Sequence, residues 1–550
     1  MSRTRLWLVV SATLLLGAGP AYAQVQEEWS HVYVGPGDND EGSRGIGVDA
    51  LGNCYVAGAS TGAADWNFLL GKYNHAGGVE WQIPINGPGD SSDYAQTMIV
   101  DAAGNSYISG WTTTKGVSGP QKLLVKVNTA GTVVWAHSHR IGGDGSMRHM
   151  AFDPSGNIIV VGMSSSSGYH ANVTKYSTAG DSLWTRFYRW TGASGGNGQR
   201  VDCALDGSVY FTGTATKSSG TFDDILTVKL SADGDTLWGR VYDGAGHNYD
   251  EGIDIVVDDD GNAYVVGKAK NTAGNTDIAV IKYSPSGTQL WDWTYNGSSS
   301  SGDEPIGVEL DMDGNVCVGG TSYETGKARD YTFIKLSPSG DSLLVSFAGA
   351  TGSEYAYDMA LDANGNMYVT GERSGVASYD YLTMKFDGAT GAKEWEMTWD
   401  GGGGYDRGTN ICVEEEDHVY VAGYINPTAE PDTKNDIGVV AYEPVAAAVF
   451  EPTTNQPPRA FTLYQNSPNP FNAGTLIRFD LERGGDATLA IVNILGQTVL
   501  THREHDLPSG SYSFEWDGTD ARGVPVSSGV YLYRLQTDRQ VSSRKMVLLK

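Results

Sequence analysis

Apolar positions in this chain come in short runs where hydrophobic and polar residues alternate, separated by turns rich in Gly, Asn, Asp and Ser. Alternation of period two with β-branched and aromatic enrichment predicts strands. One run recurs down most of the chain. It reads DALGNCYVAG from Asp49, DAAGNSYISG from Asp101, DPSGNIIVVG from Asp153 and ALDGSVYFTG from Ala204. It returns as DDDGNAYVVG from Asp258, DMDGNVCVGG from Asp311, DANGNMYVTG from Asp362 and EEEDHVYVAG from Glu414. The closing glycines, Gly58, Gly110, Gly162, Gly213, Gly267, Gly320, Gly371 and Gly423, are spaced by 52, 52, 51, 54, 53, 51 and 52 residues. Self-similarity at that period indicates a propeller or array.

Each unit carries four strand signals, which suits one propeller blade. A Trp strand has Trp at 29, 81, 135, 184, 238, 291 and 395, with Leu344 in the remaining unit. A Gly-containing strand such as GIDIVVD ends in Asp, then comes Y-V-x-G, then a D-x-x-V-x-K-Y strand such as DIAVIKY from Asp277. Small residues suit the Gly-containing strand to the crowded inner position, and the Trp strand to the outer one. Eight copies of each signal predict eight blades over residues 24–444. The chain enters on a Trp strand, Trp29 to Tyr33, and the repeats end on the fourth signal, Asp436 to Tyr442. The first strand can therefore complete the last blade and close the ring, which removes exposed edges.

The pattern stops at Val445, and the Pro- and Thr-bearing stretch 445–460 reads as a linker. Residues 461–550 then show TLIRFDL, ATLAIVNI, SYSFEWDG, GVYLYRLQT and VSSRKMVLLK as short strands, which predicts a small Ig-like β-sandwich. The expected fold is all-β: an eight-bladed propeller of four-stranded blades followed by that sandwich.

The G-N-x-Y-V-x-G core resembles the bacterial SBBP-type β-propeller repeat, related in pattern to NHL repeats, over roughly residues 27–444. The resemblance implies a propeller, usually extracellular, and no common reaction. Two units depart from it, with Asp206-Gly207-Ser208 and Glu416-Asp417-His418 in place of Gly-Asn. SPNPFN, ILGQTV and the terminal GVYLYRL and KMVLLK look like the C-terminal sorting domain of type IX secretion substrates. FEWDGTDARGVPVSSGVY looks like the Ig-like domain of the flagellar hook-cap protein. These resemblances imply export across an outer membrane, by way of secretion machinery that reads residues 461–550, then surface attachment or release.

The N-terminus agrees. Arg3 and Arg5, the apolar run Leu6 to Leu16 and Ala21-Tyr22-Ala23 form a signal peptide at 1–23, with cleavage between Ala23 and Gln24. No later run is long and apolar enough for a transmembrane helix. The net charge is -28, and -30 once residues 1–23, with two Arg and no acid, are removed. That balance argues against nucleic acid or anionic lipid as partner and leaves room for cations. Four cysteines in four different repeats read as buried thiols rather than a disulfide framework or a zinc site.

Repeats sort candidate chemistry, because a residue used alike in many blades is structural. His137 and His139 share a strand face with His149 nearby, which could ligate metal, but they fill slots held elsewhere by His31, Arg186, Arg240, Tyr33, Tyr188, Tyr242 and Tyr295. Lys72, Lys126, Lys175, Lys229, Lys282, Lys335 and Lys385 share one slot. Asp224, Asp277, Asp330, Asp380 and Asp436 share another, five residues earlier. A surface or inter-blade contact is expected for both. An acid precedes the inner strand in nearly every unit: Asp40, Asp93, Asp144, Asp250, Asp303, Glu354 and Asp406, with Asn197 in the fourth. Around a channel mouth these could bind Ca2+, while turn capping by Asp is the plainer reading. Asp258-Asp259-Asp260-Gly261-Asn262 lacks the later Glu and flanking helices of an EF-hand and reads as a hairpin turn. The chain has no H-E-x-x-H or phosphate loop.

The expected function is a secreted or cell-surface non-catalytic propeller for binding, adhesion or scaffolding, with an extracellular glycan or protein ligand. The alternative is an extracellular polysaccharide hydrolase or lyase with its site at the channel mouth. A scaffold should line its channel near-uniformly from blade to blade. An enzyme should break the repeat in one sector with convergent His, Arg, Tyr or acids. Scattered motif deviations incline the expectation to the scaffold.

Overall fold

The computed structural model describes residues 25–33, 42–61, 65–87, 92–114, 120–139, 146–165, 170–191, 193–217, 222–298, 302–323, 328–349, 352–375, 378–401, 404–414, 418–426, 435–444, 451–454, 461–466, 469, 471, 474–494, 497–516, 518–519, 526–537 and 539–549. The signal-peptide and cleavage assignments at Ala23 and Gln24, and the slot acids Asp40 and Asp144, lie outside them.

The described residues contain no helix and form ten four-stranded sheets. Eight of these lie between Val25 and Pro444 and are the propeller blades. In each, the Gly-containing strand lies at one edge and the Trp strand at the other. The inner strands are Gly42–Val48, Asp93–Val100, Met147–Phe152, Ala193–Cys203, Glu251–Val257, Glu304–Leu310, Glu354–Leu361 and Arg407–Val413. Each touches the next in that order, and the last touches the first. The ring closes as its ends suggested: Val25–Tyr33 pairs antiparallel with Asp436–Pro444, Trp29 opposite Ala441 and Tyr33 opposite Ile437.

The repeated letters have local causes. In DALGN, Gly52 has φ 73°, the left-handed region that glycine reaches without strain. Asp49 then accepts the backbone N–H groups of Leu51 and Asn53, the Asn53 amide and the Tyr55 hydroxyl. Asp101, Asp258 and Asp362 bind their own Asn and Tyr in the same way. The closing glycine is a matter of space. Every inner strand carries a bulge, and a Cβ on Gly110 would lie 1.8 Å from the Tyr94 carbonyl oxygen.

Contacts between blades repeat as well. Trp81 Nε1 donates to the Thr129 carbonyl of the following blade at 3.0 Å, and Trp29, Trp135, Trp184, Trp238 and Trp291 do likewise. The lysine slot is buried in five blades, at Lys72, Lys175, Lys229, Lys282 and Lys385, and half-buried at Lys126 and Lys335. Lys229 lies over the Tyr210 ring at 4.8 Å and Lys282 over Tyr264 at 4.6 Å. Where Ile159 or Cys317 replaces that Tyr, the lysine pairs with the turn aspartate instead: Lys175 with Asp153 at 2.7 Å, Lys335 with Asp311 at 2.8 Å. The four cysteines are unpaired thiols, Cys54 and Cys317 buried and Cys203 and Cys412 half-buried.

The remaining two sheets form the C-terminal Ig-like domain. One orders Glu451–Thr454, Gly510–Trp516, Thr475–Leu481 and Thr462–Leu463, and the other Thr498–Leu507, Gly485–Asn493, Gly529–Thr537 and Val541–Leu548. Trp516, Phe514, Tyr533 and Met546 are among its buried core. Its first strand, Glu451–Thr454, falls inside the stretch that reads as linker. Pro452 disguised it, yet proline is tolerated because the strand is a sheet edge.

Deleting residues 25–33 would leave the last blade with three strands and bare the edge of Asp436–Pro444. The thermal midpoint of the chain should fall by on the order of 10 °C, and aggregation should rise. A midpoint unchanged in differential scanning calorimetry would mean that closure by this strand contributes nothing.

Candidate functional site

The inner strand of each blade has a hydrogen-bonded neighbour on one side only. Its other edge has no strand partner, so its buried N–H groups need other acceptors. Neighbouring blades supply them. Asp254 Oδ2 accepts Val308 N–H at 3.0 Å, Asp358 Oδ2 accepts Ile411 N–H at 2.9 Å and His149 Nδ1 accepts Val201 N–H at 3.4 Å. Two residues further along the strand, Asp202 Oδ2 accepts Val257 N–H at 2.8 Å and Glu309 Oε2 accepts Leu361 N–H at 3.2 Å. Gln96 Oε1 takes Met147 N–H at 3.0 Å.

All of these acceptors but Asp202 border a cavity of about 320 Å³ on the ring axis. Arg44, Arg148 and Arg200 converge on it from the first, third and fourth inner strands, Asp254, Glu309 and Asp358 from the fifth to seventh. Arg200 Nε lies 3.8 Å from Asp254 Oδ1, and Arg148 donates to Gln199 Oε1. Burial shifts the set strongly. It pushes Glu309 up to about 8, Asp202 and Asp358 up to about 6, and His149 down to about 3. Asp254 is raised for the same reason. At neutral pH Glu309 is largely protonated and His149 neutral. Partly buried aromatic rings gather where the inner strands begin: Tyr94 stacks between Trp66 and Trp111 with centroids 4.6 Å from each, and Arg44 lies over Tyr424 at 5.7 Å.

The channel is therefore not uniform from blade to blade, contrary to the scaffold expectation. Thirteen residues before each closing glycine stand Gly45, Thr97, His149, Arg200, Asp254, Gly307, Asp358 and Asn410. Apart from His149, sequence reasoning passed over this column. Its signal was variety: it changes nearly every repeat, while the column after it, from Ile46 to Ile411, stays apolar throughout.

The carboxylate slot behaves otherwise. Asp93, Asp250, Asp303, Glu354 and Asp406 lie at the starts of inner strands, fully buried, and none lines the cavity. Each Asp among them ties a glycine that enters its blade: Gly87, Gly244, Gly297 and Gly401 donate N–H at 2.6, 2.6, 2.7 and 2.8 Å. Asp250 and Asp406 also accept Lys270 and Asn426 N–H, both at 2.7 Å. Glu354 reaches Arg373 at 3.4 Å. The aspartate oxygens therefore accept amides of the turns that enter their blades.

The histidines are not brought together. His149 is on an inner strand, while His137 and His139 stack on the outer strand Val133–His139 beside Trp135 and Tyr176. Asp258 closes its hairpin, with Gly261 N–H donating to its carbonyl at 2.9 Å. Among the described residues three other groups bring metal-ligating atoms within 4.8 Å of one another. In Asp224, Asp243 and Asp250 the cation is Lys217, 3.0 Å from Asp224 and 2.9 Å from Asp243. Asp380, Asp400 and Asp406 form the equivalent group three blades on, and Glu28, His418 and Glu443 the third.

Residues 466–540 match the family FlgD Ig-like domain. No curated protein matches the chain in sequence. Among solved structures, PorZ, an essential surface component of the type-IX secretion system of Porphyromonas gingivalis, is 12% identical, with 92% of this chain and 75% of that one covered and a TM-score of 0.33. The polysaccharide lyase Uly1 is 10% identical over 75% of this chain and 91% of its own, with a TM-score of 0.41. Sqt1 from Chaetomium thermophilum is 11% identical over 77% and 100%, with a TM-score of 0.46.

The raised carboxyls set a pH dependence. An unfolded Glu titrates near 4.5, whereas burial holds Glu309 at about 8. Between those values the folded chain keeps a proton that the unfolded chain has released. This contribution is whole below about pH 4.5 and is lost as pH rises through about 8. Asp202 and Asp358 act in the same sense up to about pH 6. His149, held at about 3, and Lys122, lowered to about 7 by burial, act in the opposite sense in both proteins, so the test is the difference: relative to Glu309→Gln, neutral throughout, the thermal midpoint of the native chain should fall between about pH 5 and about pH 8.5. Parallel curves for the two proteins would show that Glu309 titrates normally.

Proposed function

We propose that the chain is an exported binding protein, displayed on the cell surface or released, whose propeller takes an acidic glycan at its channel. The observation that carries this reading is the convergence of Arg44, Arg148 and Arg200 on one cavity. A guanidinium presents a rigid fork of donors that suits carboxylate or sulfate groups, and each of these arginines keeps donors beyond the contacts it makes in the ring. The stack of Trp66, Tyr94 and Trp111 offers apolar faces for sugar rings at the end where the inner strands begin. The net charge of -28 disfavours long-range attraction of polyanions, so recognition is local and favours one or a few acidic sugars over a long chain.

The alternative, a polysaccharide hydrolase or lyase, needs an available acid and base. Here Asp254, Asp358, Glu309 and His149 each accept a backbone N–H of the neighbouring inner strand. A histidine held at about 3 is also a weak base. Their engagement in the ring favours binding over turnover.

A glycan array probed with the mature chain should light up on uronate-bearing or sulfated glycans. Arg148→Ala combined with Arg200→Ala should weaken that binding at least tenfold, about 1.4 kcal/mol. No acidic glycan bound, or equal binding by the double variant, would sink the reading. Shortening of the glycan during incubation would turn the decision to the catalytic alternative.

The C-terminal domain is read as an address. Its match to an Ig-like family and its sorting motifs SPNPFN and ILGQTV support export through outer-membrane machinery. Because Glu451–Thr454 pairs within the sandwich, the clean truncation removes residues 445–550. The truncated chain should fold with an unchanged propeller midpoint and accumulate in the periplasm, while the whole chain reaches the surface or medium. Truncated protein found outside the cell would show that the domain is no address.

A further inference from the structure

Departures from a repeat are informative when they meet in space. Three meet at the seam of the ring. Seven residues after the start of its strand, Glu443 follows Asp436, where other repeats carry Asn74, Asn128, Ser177, Ser231, Ser284, Ser337 or Asp387. His418 fills the column of Asn53, Asn105, Asn157, Asn262, Asn315 and Asn366, with Ser208 in one repeat. Glu28 precedes Trp29 in the closing strand, where Val or Leu stands in five repeats and Glu in two. It is also the bulged residue between Glu27 and Trp29, which re-aims its side chain.

One ligand atom from each of Glu28, His418 and Glu443 lies within 4.8 Å of the others. Glu28 Oε2 is shut off from solvent and receives no hydrogen bond. Beside them His75, from the turn of the first blade, packs edge-on against the His418 ring with centroids 4.7 Å apart. Its Nδ1 lies 3.3 Å from Glu414 Oε2. Two carboxylates and an imidazole make a mixed N/O donor set. Ca2+ prefers about six to eight oxygens, whereas Zn2+ takes about four ligands and readily includes histidine.

The geometry points to a Zn2+ site formed by Glu28, His418 and Glu443 at the seam where the propeller closes. A small inward rotation of the three side chains brings their atoms to bonds of about 2 Å, with the fourth position left to water. The ion would join three separate pieces of chain: the closing strand, its partner Asp436–Pro444 and the residue that leads into Val419–Ile425. It would act as a clasp, and its effect would be on closure rather than on the channel. This inference is independent of what the channel binds.

The test uses the full mature chain, stripped with a chelator and titrated with Zn2+ or Ca2+ at matched ionic strength. One equivalent of Zn2+ should bind and raise the thermal midpoint by several degrees, and Ca2+ should do neither. His418→Asn, which restores the residue of most other repeats, should fold, bind Zn2+ at least tenfold more weakly and lose the rise. Glu443→Gln, measured in parallel, keeps the comparison decisive if the first variant does not fold. Absence of saturable Zn2+ binding, or the same affinity and rise in the folded variants, would overturn the proposal.

Discussion

An inner strand of this ring is bonded on one side only, and everything about the channel follows from that. A buried amide left without an acceptor costs about 1–3 kcal/mol. With eight such strands crowded around one axis, the cost of leaving their second edges bare would be large beside the stability of a folded protein. The chain meets it with side chains that reach across the junction: His149, Asp202, Asp254, Glu309 and Asp358 each cap an amide of the following strand. Acids and an imidazole are good acceptors, so the channel is polar and charged before any ligand is considered. The same burial that makes the caps necessary raises the carboxyls and lowers the histidine. Perturbed titration here is a product of architecture as much as of function.

Away from the axis the junctions are made differently. There the same columns recur because each touches the next blade in the same way. The Trp indole donates to the following turn, and Lys175, Lys229, Lys282 and Lys335 donate to carbonyls there as well. The buried acids Asp250 and Asp406 fix the chain where it passes between blades. A residue that must fit the same neighbour several times over has little freedom to vary. A residue that faces the axis meets the others across the channel rather than a copy of one partner, and so it can differ in every blade.

That contrast explains what could be read from the residues alone. The strand order, the closing strand and the hairpin turns were legible, because they rest on period-two alternation and on glycines at left-handed positions such as Gly52. The lysine column was legible as a repeat but not as buried, since nothing in a single strand shows that the Tyr beside it will supply a ring face. The acid column was rightly placed at the starts of inner strands. Its burial was hidden, because the glycine amides that satisfy Asp93 and Asp303 belong to turns six residues earlier. Arg200 and Asp254 were passed over because their column, from Gly45 to Asn410, holds no consistent residue type. Their separation is a matter of tertiary packing, 3.8 Å in space across more than fifty residues of chain.

The seam is the place where these two kinds of column come into conflict. Seven blades are each formed from one continuous stretch of chain, whereas the last unites Val25–Tyr33 with strands some four hundred residues later. Closing so long a loop carries the largest entropic cost in the ring. The residues that break the repeat in that blade, Glu28, Glu414, His418 and Glu443, are charged or ionisable and lie close together, which adds repulsion between carboxylates to a junction already costly to form. A junction that had only to be strong would have kept the neutral Asn of the other blades at position 418, bonded to its turn aspartate as Asn53 is to Asp49. Gln26 donates to Glu443 and the Tyr420 hydroxyl to Glu414, which eases part of that repulsion, and a proton or a metal ion between the acids would relieve the rest.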